Sequence, residues 1–152
     1  MRLQLALNVQ NLDRAIAFYS DMFATSVHKQ RDGYANFEIT HPPLKLVLFE
    51  NANAPENLNH IGVECETVDE FSQTAARLTN SDIATSEVTQ TGCCHAKQDK
   101  FWTTEPDGLS WEWYRILDDD PKDGTKNTNS SMAGCCDQQP KKASNPNQVC
   151  CA

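Results

Sequence analysis

The chain has 152 residues, 39% of them hydrophobic, which is enough for one domain with a buried core and some additional tail. Its formal net charge of -8 argues against nucleic acid and anionic membrane surfaces as partners, because both repel an acidic protein. The N-terminal stretch MRLQLALNVQNLDR is too polar, and its apolar run too short, for a signal peptide or a membrane-spanning helix. We therefore expect a cytoplasmic protein, in which the seven cysteines indicate thiol chemistry rather than a disulfide framework.

The composition changes near residue 118. From LDDDPKDGTKNTNSSMAG onwards, large apolar residues are almost absent and Pro, Asn, Ser, Lys and Asp dominate. This composition predicts a disordered tail over residues 118–152. Residues 1–117 are therefore predicted to form the folded domain.

Hydrophobic periodicity predicts alternating strands and helices through this domain. RLQLALNV (2–9) alternates at period two and predicts a strand, while NLDRAIAFYSDMF (11–23) has helical spacing, with Asn11 or Asp13 as the cap. Two more strands, GYANFEIT and LKLVLFE, flank the breaker His41-Pro42-Pro43. The order then begins again, with LNHIGVEC as a strand, VDEFSQTAARLTN as a helix, and DIATSEV (82–88), KQDKFWTT and LSWEWYRI as three more strands.

The two halves of the domain match each other. When Gln4 is aligned with His60, the apolar positions of the two first strands coincide, and THPPLKLVLF falls on TEPDGLSWEWY with one extra residue. Between these anchors the second half is longer, and Cys93 and Cys94 lie in the longer stretch. The sequence thus predicts a duplicated β-α-β-β-β unit, with units at about 1–50 and 57–117 and an added loop, and added loops often carry function.

Each predicted unit is a twisted sheet with a helix on its outer face, so that two facing units enclose a concave space. This α+β arrangement of two tandem units resembles the vicinal oxygen chelate superfamily, the fold of glyoxalase I, bleomycin-resistance proteins and extradiol dioxygenases. In that superfamily the metal ligands come from the first and last strands of the units. The matching positions in this chain are Gln4, Val47, His60 and Glu112.

The resemblance implies that three of these four positions bind a metal ion. Gln4 offers an amide oxygen, His60 an imidazole nitrogen and Glu112 a carboxylate, a set close to the two-histidine-one-carboxylate triad of non-haem iron oxygenases. Such a face leaves about three positions of an octahedral ion open for O2 or substrate.

Each of the three residues also has a structural interpretation. Gln4 alone is most often a polar residue on an edge strand, and His60 alone is most often a hydrogen-bonded structural histidine. Glu112 is different because it lies between Trp111 and Trp113, and a carboxylate rarely faces a core without a partner. If the two tryptophans face one side of the strand, Glu112 faces the cleft.

Cys93 and Cys94 are adjacent, in the stretch TGCCHAKQDK. Structural zinc sites favour cysteines two to four residues apart, and a vicinal disulfide is strained. A thiophilic centre such as trivalent arsenic suits two adjacent thiolates better. The alternative interpretation is a pair of incidental surface thiols, although exposed free thiols are a liability.

The stretches LQLALNV, GYANFEI, PPLKLVLFE, NHIGVE, CCHAKQDKFW and PDGLSWEWY together resemble the ArsI/CadI branch of the superfamily, which includes carbon–arsenic lyases. The resemblance implies an Fe(II)-dependent dioxygenase, a monomer or homodimer, that cleaves the C–As bond of trivalent organoarsenicals to arsenite as a detoxification. The substrates implied are methylarsenite and trivalent aromatic arsenicals. Gln4, His60 and Glu112 would then hold the catalytic Fe(II) beside O2, and Cys93 and Cys94 would bind the arsenic.

Two other functions remain open from the sequence. A cadmium- or arsenic-binding resistance protein would use the same thiols without turnover, and Gln4 favours it because a neutral amide is a weak iron ligand. A glyoxalase-type isomerase or a thiol transferase is the third possibility, and Val47 argues against the isomerase because it cannot supply a fourth ligand.

The sequence offers further candidate site residues. Lys97, Lys100 and Tyr34 are candidate cleft residues, and His95 lies beside the thiols in the sequence. The tail pairs Cys135–Cys136 and Cys150–Cys151 are candidate metalloid scavengers or parts of a dispensable tail.

Overall fold

Strands and helices alternate along the chain in a computed structural model that describes residues 1–83, 86–92 and 96–119. The elements are β1 Arg2–Val9, α1 Leu12–Phe23, β2 Lys29–Arg31, β3 Tyr34–Ile39, β4 Leu44–Glu50, β5 Leu58–Glu64, α2 Val68–Asn80, β6 Thr89–Gly92, β7 Lys97–Thr104 and β8 Ser110–Asp118. Neither of the helices in these residues is long and apolar enough to cross a membrane.

The strands form one mixed sheet in the order β2-β3-β4-β1-β5-β8-β7-β6. Within each unit the first and last strands pair in parallel, β1 with β4 and β5 with β8, and antiparallel pairing of β1 with β5 joins the two units. The sheet is curled into a half-barrel with the two helices on its outer surface, which confirms the predicted α+β vicinal oxygen chelate fold. The units thus share one continuous sheet through the β1–β5 pair.

Strand register shows the internal duplication directly. Val47 of β4 lies opposite Ala6 of β1, and Glu112 of β8 lies opposite Gly62 of β5. These two pairs are equivalent in the alignment of the halves, so each unit builds its parallel strand pair in the same register.

The outer face of the sheet carries the apolar core. Between α1 and the sheet, the buried cluster consists of Leu12, Ala35, Phe37, Ile39, Leu46 and Leu48. Under α2 it consists of Cys65, Phe71, Leu78 and Phe101. Because successive side chains of a strand point to opposite faces, this arrangement leaves the alternate residues of the same strands on the concave face.

Both helices begin where the sequence provides a cap. The Asn11 side chain accepts a hydrogen bond from the backbone N–H of Arg14 at 2.8 Å, which makes Asn11 the cap rather than Asp13. Thr67 caps α2 in the same way, accepting from the N–H of Glu70 at 3.1 Å.

The predicted strand over residues 82–88 is wrong. Asp82, two residues after the end of α2, has a φ of 55°, in the left-handed region that a strand cannot use, and Ile83 and Ser86–Val88 also lie outside any strand. The strand is instead Thr89–Gly92, because these residues pair with Lys97–Lys100 in a hairpin. The short edge strand β2, with the polar sequence KQR, was not predicted because it has no apolar alternation.

The proposed domain boundary lies at the end of β8, which runs to Asp118. Asp119 follows, and its carboxylate Oδ1 lies 2.7 Å from Lys29 Nζ. The rest of the predicted disordered tail over residues 118–152, which is residues 120–152, lies outside the described residues.

The core under α1 predicts a large effect of one substitution. Phe37 is 0% exposed, so Phe37→Ala should lower the free energy of unfolding by about 3–5 kcal/mol through lost burial and the cavity left behind. Met22→Ala, on the solvent side of α1, is the control and should change it by less than about 0.5 kcal/mol. Urea unfolding followed by circular dichroism measures both, and equal effects would mean that this core is misplaced.

Candidate metal centre

Three strands bring Gln4, His60 and Glu112 together on the concave face of the sheet. Gln4 Nε2 lies 3.0 Å from His60 Nε2, and His60 Nε2 lies 3.2 Å from Glu112 Oε2. All three side chains are buried, with 5%, 5% and 6% of their surface exposed. They share a cleft of about 80 Å³. The cleft is lined by Gln4, Tyr34, Lys45, Val47, Phe49, His60, Ala96, Gln98, Lys100, Trp102, Glu112, Tyr114, Ile116 and Asp119.

Gly62 provides the room in which these side chains meet. It lies between the strand carrying Gln4 and the strand carrying Glu112. A Cβ at this position would lie 3.2 Å from Gln4 Nε2 and 3.3 Å from the backbone oxygen of Glu112, closer than ordinary van der Waals contact. The absence of a side chain at Gly62 therefore lets Gln4 lie across β5 toward His60.

Glu112 is a buried carboxylate with partners on both oxygens. Oε2 faces His60, while Oε1 lies 3.0 Å from Lys100 Nζ and 3.4 Å from Gln98 Nε2. Burial raises the pKa of Glu112, but the hydrogen bond and charge of His60, together with the charge of Lys100, outweigh it and lower this pKa to about 2. The carboxylate is therefore ionised at neutral pH and can bind a cation without first losing a proton.

His60 is held from two sides, so that its Nε2 faces the other two residues. Its Nδ1 lies 2.7 Å from Asn59 Oδ1. The ring of Trp102 meets the imidazole edge to face, with 5.4 Å between the ring centroids. With Nδ1 engaged by Asn59, Nε2 is the atom available to a metal ion.

The donor set fits a first-row divalent ion. In the described ranges no group of three or more His, Cys, Asp or Glu residues converges, so this centre depends on the amide of Gln4 as its third donor. Amide oxygen and nitrogen have nearly the same shape, and turning the Gln4 amide by half a rotation places Oε1 where Nε2 lies. One amide oxygen, one imidazole and one carboxylate are ligands that Fe(II) and Mn(II) accept.

The fourth position of the duplicated arrangement forms an apolar wall. Val47 is buried in a cluster with Ala6 and Tyr34, and Phe49 packs against it. The unit that contributes Gln4 therefore offers apolar surface where the other unit offers Glu112.

Lys45 and Tyr114 also line the cleft, and the sequence reasoning missed both. Lys45 Nζ lies 3.2 Å from Glu64 Oε1 and 5.6 Å from the centroid of the Tyr114 ring. Burial raises the pKa of Tyr114, and Glu64 and Glu112 add to the effect, so the phenol stays neutral. The alternation in LKLVLFE was the available signal, since Lys45 shares a strand face with Val47 and Phe49.

Of the other site residues predicted from the sequence, some line the cleft and others do not or lie outside the described residues. Lys100 and Tyr34 line the cleft, whereas Lys97 is exposed at the start of β7 and does not. Cys93, Cys94 and His95 lie outside the described residues, between β6 and β7. Ala96, which directly follows them, lines the cleft.

Cys65 is the cysteine that the described residues contain, and its role is in the core. It is 2% exposed and packs under α2. Burial raises the pKa of its thiol, so Cys65 behaves as a small apolar side chain rather than as a reactive thiolate.

Comparison with known proteins agrees with the fold. The profile of the Glyoxalase/Bleomycin resistance protein/Dioxygenase superfamily matches residues 3–113. The chain belongs to this superfamily. Among solved structures of similar fold, the Mn(II)-bound glyoxalase from Novosphingobium aromaticivorans gives a TM-score of 0.54 at 18% identity, over 78% of this chain and 40% of that chain.

Two curated relatives within the superfamily match much more closely in sequence. A trivalent organoarsenical cleaving enzyme from Thermomonospora curvata is 49% identical over 119 residues, which cover 78% of this chain and 79% of that protein. The cadmium-induced protein CadI of Mycobacterium tuberculosis is 45% identical over 145 residues, or 91% of this chain and 94% of that protein. The resemblance to the ArsI/CadI branch is thereby confirmed.

The ionised state of Glu112 predicts an acid sensitivity of the metal-free protein. Its pKa is lowered from an ordinary value of 4.5 to about 2, so its contribution to stability is present above pH 4.5 and is lost as the pH falls toward 2. This contribution is on the order of 3 kcal/mol. The free energy of unfolding of chelator-treated protein should therefore fall more steeply over this pH range than that of Glu112→Gln. Parallel pH profiles of the two proteins would contradict the ion-paired state of Glu112.

Proposed function

We propose that this protein is an Fe(II)-dependent dioxygenase that cleaves the C–As bond of trivalent organoarsenicals, methylarsenite and trivalent aromatic arsenicals, to release arsenite. The observation that carries the proposal is the convergence of Gln4, His60 and Glu112 in a buried cleft. Its support from relatives is the 49% identity to a protein named as a trivalent organoarsenical cleaving enzyme. The substrate is organoarsenical, the second substrate is O2, and the product side is arsenite with an oxidised organic fragment.

In this function Gln4, His60 and Glu112 hold the iron. Bound Fe(II) supplies the activation of O2 that oxidative cleavage of a C–As bond requires. Three protein donors from three strands leave the side toward the cleft for the substrate and O2. Because the donors lie on strands of one sheet, their positions are fixed by backbone hydrogen bonds rather than by a loop.

The surrounding side chains keep Glu112 ionised and place apolar surface beside the centre. Lys100 holds Oε1 of Glu112, which leaves Oε2 directed at His60 and the centre. The Trp102 ring contacts the imidazole edge to face, and Val47 with its apolar neighbours lines the same cleft. An apolar wall beside the metal centre suits a substrate that carries an organic group.

Cys93 and Cys94 bind the arsenic in this proposal. The sheet residues provide nitrogen and oxygen donors for iron, and the two thiols provide the soft sulfur that trivalent arsenic prefers. Ala96, two residues after Cys94 in the sequence, lines the cleft. The two elements are thus held by separate ligand sets, one on the strands and one on the β6–β7 connection.

A second candidate function is sequestration without turnover. The mycobacterial relatives are named cadmium-induced proteins, and they match over nearly the whole chain. In this alternative the thiols retain a thiophilic ion, and Gln4 makes the strand site too weak to support oxidation. The two candidates differ in one observable, which is the release of arsenite with consumption of O2.

The test is a single-turnover assay on the full chain. Metal-free protein is loaded with Fe(II) without oxygen, mixed with methylarsenite or trivalent phenylarsenical, and then exposed to O2. The proposal predicts arsenite release, followed by chromatography with arsenic detection, and a matching uptake of O2. Retention of the intact organoarsenical by fully iron-loaded protein would overturn the enzyme proposal in favour of sequestration.

Two variants assign the roles of the two ligand sets. Glu112→Ala should lose bound iron and turnover together, because the buried site loses its anionic donor. Cys93→Ser and Cys94→Ser should each keep iron but lose organoarsenical binding, because serine keeps the shape and makes no comparable bond to arsenic. The matched control is Cys135→Ser with Cys136→Ser, a vicinal pair in the tail, which should leave both measurements unchanged. Iron retained by Glu112→Ala, or turnover retained by either loop variant, would reject the corresponding assignment.

A further inference from the structure

Strand β5 contains an irregularity next to the candidate metal centre. Ala6 of β1 lies opposite His60, and the next residue, Leu7, lies opposite Leu58. Asn59 is therefore an extra residue in β5 with no opposing residue in β1, which defines a β-bulge. Bulges change the direction of a side chain locally, and here the change falls on the neighbour of a proposed ligand.

The bulge explains a contact that a regular strand does not allow. In a regular strand Asn59 and His60 would point to opposite faces of the sheet. In this structure Asn59 Oδ1 lies 2.7 Å from His60 Nδ1, within hydrogen-bond distance. The extra residue turns the Asn59 amide toward the face that carries the imidazole.

A chain of hydrogen bonds fixes which end of the Asn59 amide faces His60. Asn8 Nδ2 donates to the backbone carbonyl of Glu56 at 3.0 Å, and a carbonyl can only accept. Asn8 Oδ1 is thereby turned to accept from Asn59 Nδ2 at 2.8 Å. The oxygen of the Asn59 amide is then the atom left for His60.

The same chain fixes the position of the hydrogen on the imidazole. An amide oxygen can only accept a hydrogen bond. Nδ1 of His60 therefore carries the hydrogen, and the Asn59 oxygen accepts it. In the neutral form of histidine that binds a metal ion, the other nitrogen then has the lone pair, whereas in the metal-free protein it carries a hydrogen toward Glu112. That nitrogen is Nε2, the atom that faces Gln4 and Glu112.

We propose that Asn59 is a positioning residue of the metal centre, and that the bulge, Asn8 and the Glu56 carbonyl act through it to present the lone pair of His60 Nε2 to the ion. The inference rests on the proposed role of His60 as a metal ligand. Partners of this kind behind a ligating histidine typically change metal affinity by about 10–100-fold when they are removed. Here the partner is a neutral amide, and its orientation is set by a backbone carbonyl two hydrogen bonds away.

The inference is tested with Co(II), used alone as the probe metal on the full chain. Asn59→Ala removes the acceptor for Nδ1, and the affinity for Co(II) should fall by about 10–100-fold. Asn59→Asp keeps an acceptor at the same place and should retain most of the affinity. Asn53→Ala, in the exposed turn after β4, is the control and should match the parent protein.

A spectroscopic readout separates positioning from a general structural effect. In Co(II)-loaded protein the hydrogen on Nδ1 of a bound histidine gives a strongly shifted proton resonance that exchanges with water. The resonance should be present and slowly exchanging in the parent protein and in Asn59→Asp, and absent or fast-exchanging in Asn59→Ala. Circular dichroism of each variant establishes whether it is folded. If Asn59→Ala does not fold, Asn8→Ala provides a milder variant.

The outcomes distinguish the inference from the function on which it rests. His60→Gln should abolish the resonance and weaken Co(II) binding, and if it does neither, the metal centre itself is rejected. If His60→Gln behaves as expected while Asn59→Ala keeps the affinity and the slowly exchanging resonance, the metal centre stands and the positioning role of Asn59 is overturned.

Discussion

The structure depends on one buried carboxylate. Glu112 is almost fully removed from water, and removing a charge from water costs several kcal/mol unless partners compensate. His60 and Lys100 provide that compensation, one on each oxygen. Both partners are on neighbouring strands, so the carboxylate can be buried only when β5, β7 and β8 are paired in their observed registers. The fold and the candidate site are therefore fixed by the same contacts.

The duplication gives this site its two unlike sides. Equivalent positions of the two units carry Gln4 and His60 on the first strands, and Val47 and Glu112 on the last strands. One unit thus contributes a neutral amide and an apolar wall, and the other contributes an imidazole and a carboxylate. In the proposed reaction this asymmetry separates the polar centre from the surface that receives an organic group.

Much of the fold could be predicted from the sequence because it follows from periodicity, whereas the three candidate ligands were indicated by the resemblance to the superfamily. The alternation Trp111-Glu112-Trp113 predicts a carboxylate on the face opposite to the tryptophans, and Trp113 packs against the core under α2 while Glu112 lines the cleft. Gln4 and His60 occupy equivalent positions in the alignment of the halves, and the resemblance to the superfamily implies that these positions carry metal ligands.

The missed features are those that depend on pairing rather than on periodicity. β6 was misplaced because its residues are polar and are held in a strand only by the hairpin with β7. The contact between Asn59 and His60 could not be predicted, since a bulge is a shift of register between two strands and leaves no mark in the alternation of one. Lys100 was identified as a cleft residue, but its bond to Glu112 requires the β7–β8 register.

The central claim is that Gln4, His60 and Glu112 on the strands hold the metal through oxygen and nitrogen atoms, and that the thiols do not bind it. X-ray absorption at the iron edge of Fe(II)-loaded full-length protein, recorded without arsenical, tests it most directly. The account predicts a first shell of oxygen and nitrogen atoms with the scattering pattern of one imidazole and with no sulfur. A first shell that contains sulfur, or one that is unchanged in His60→Gln, would contradict it.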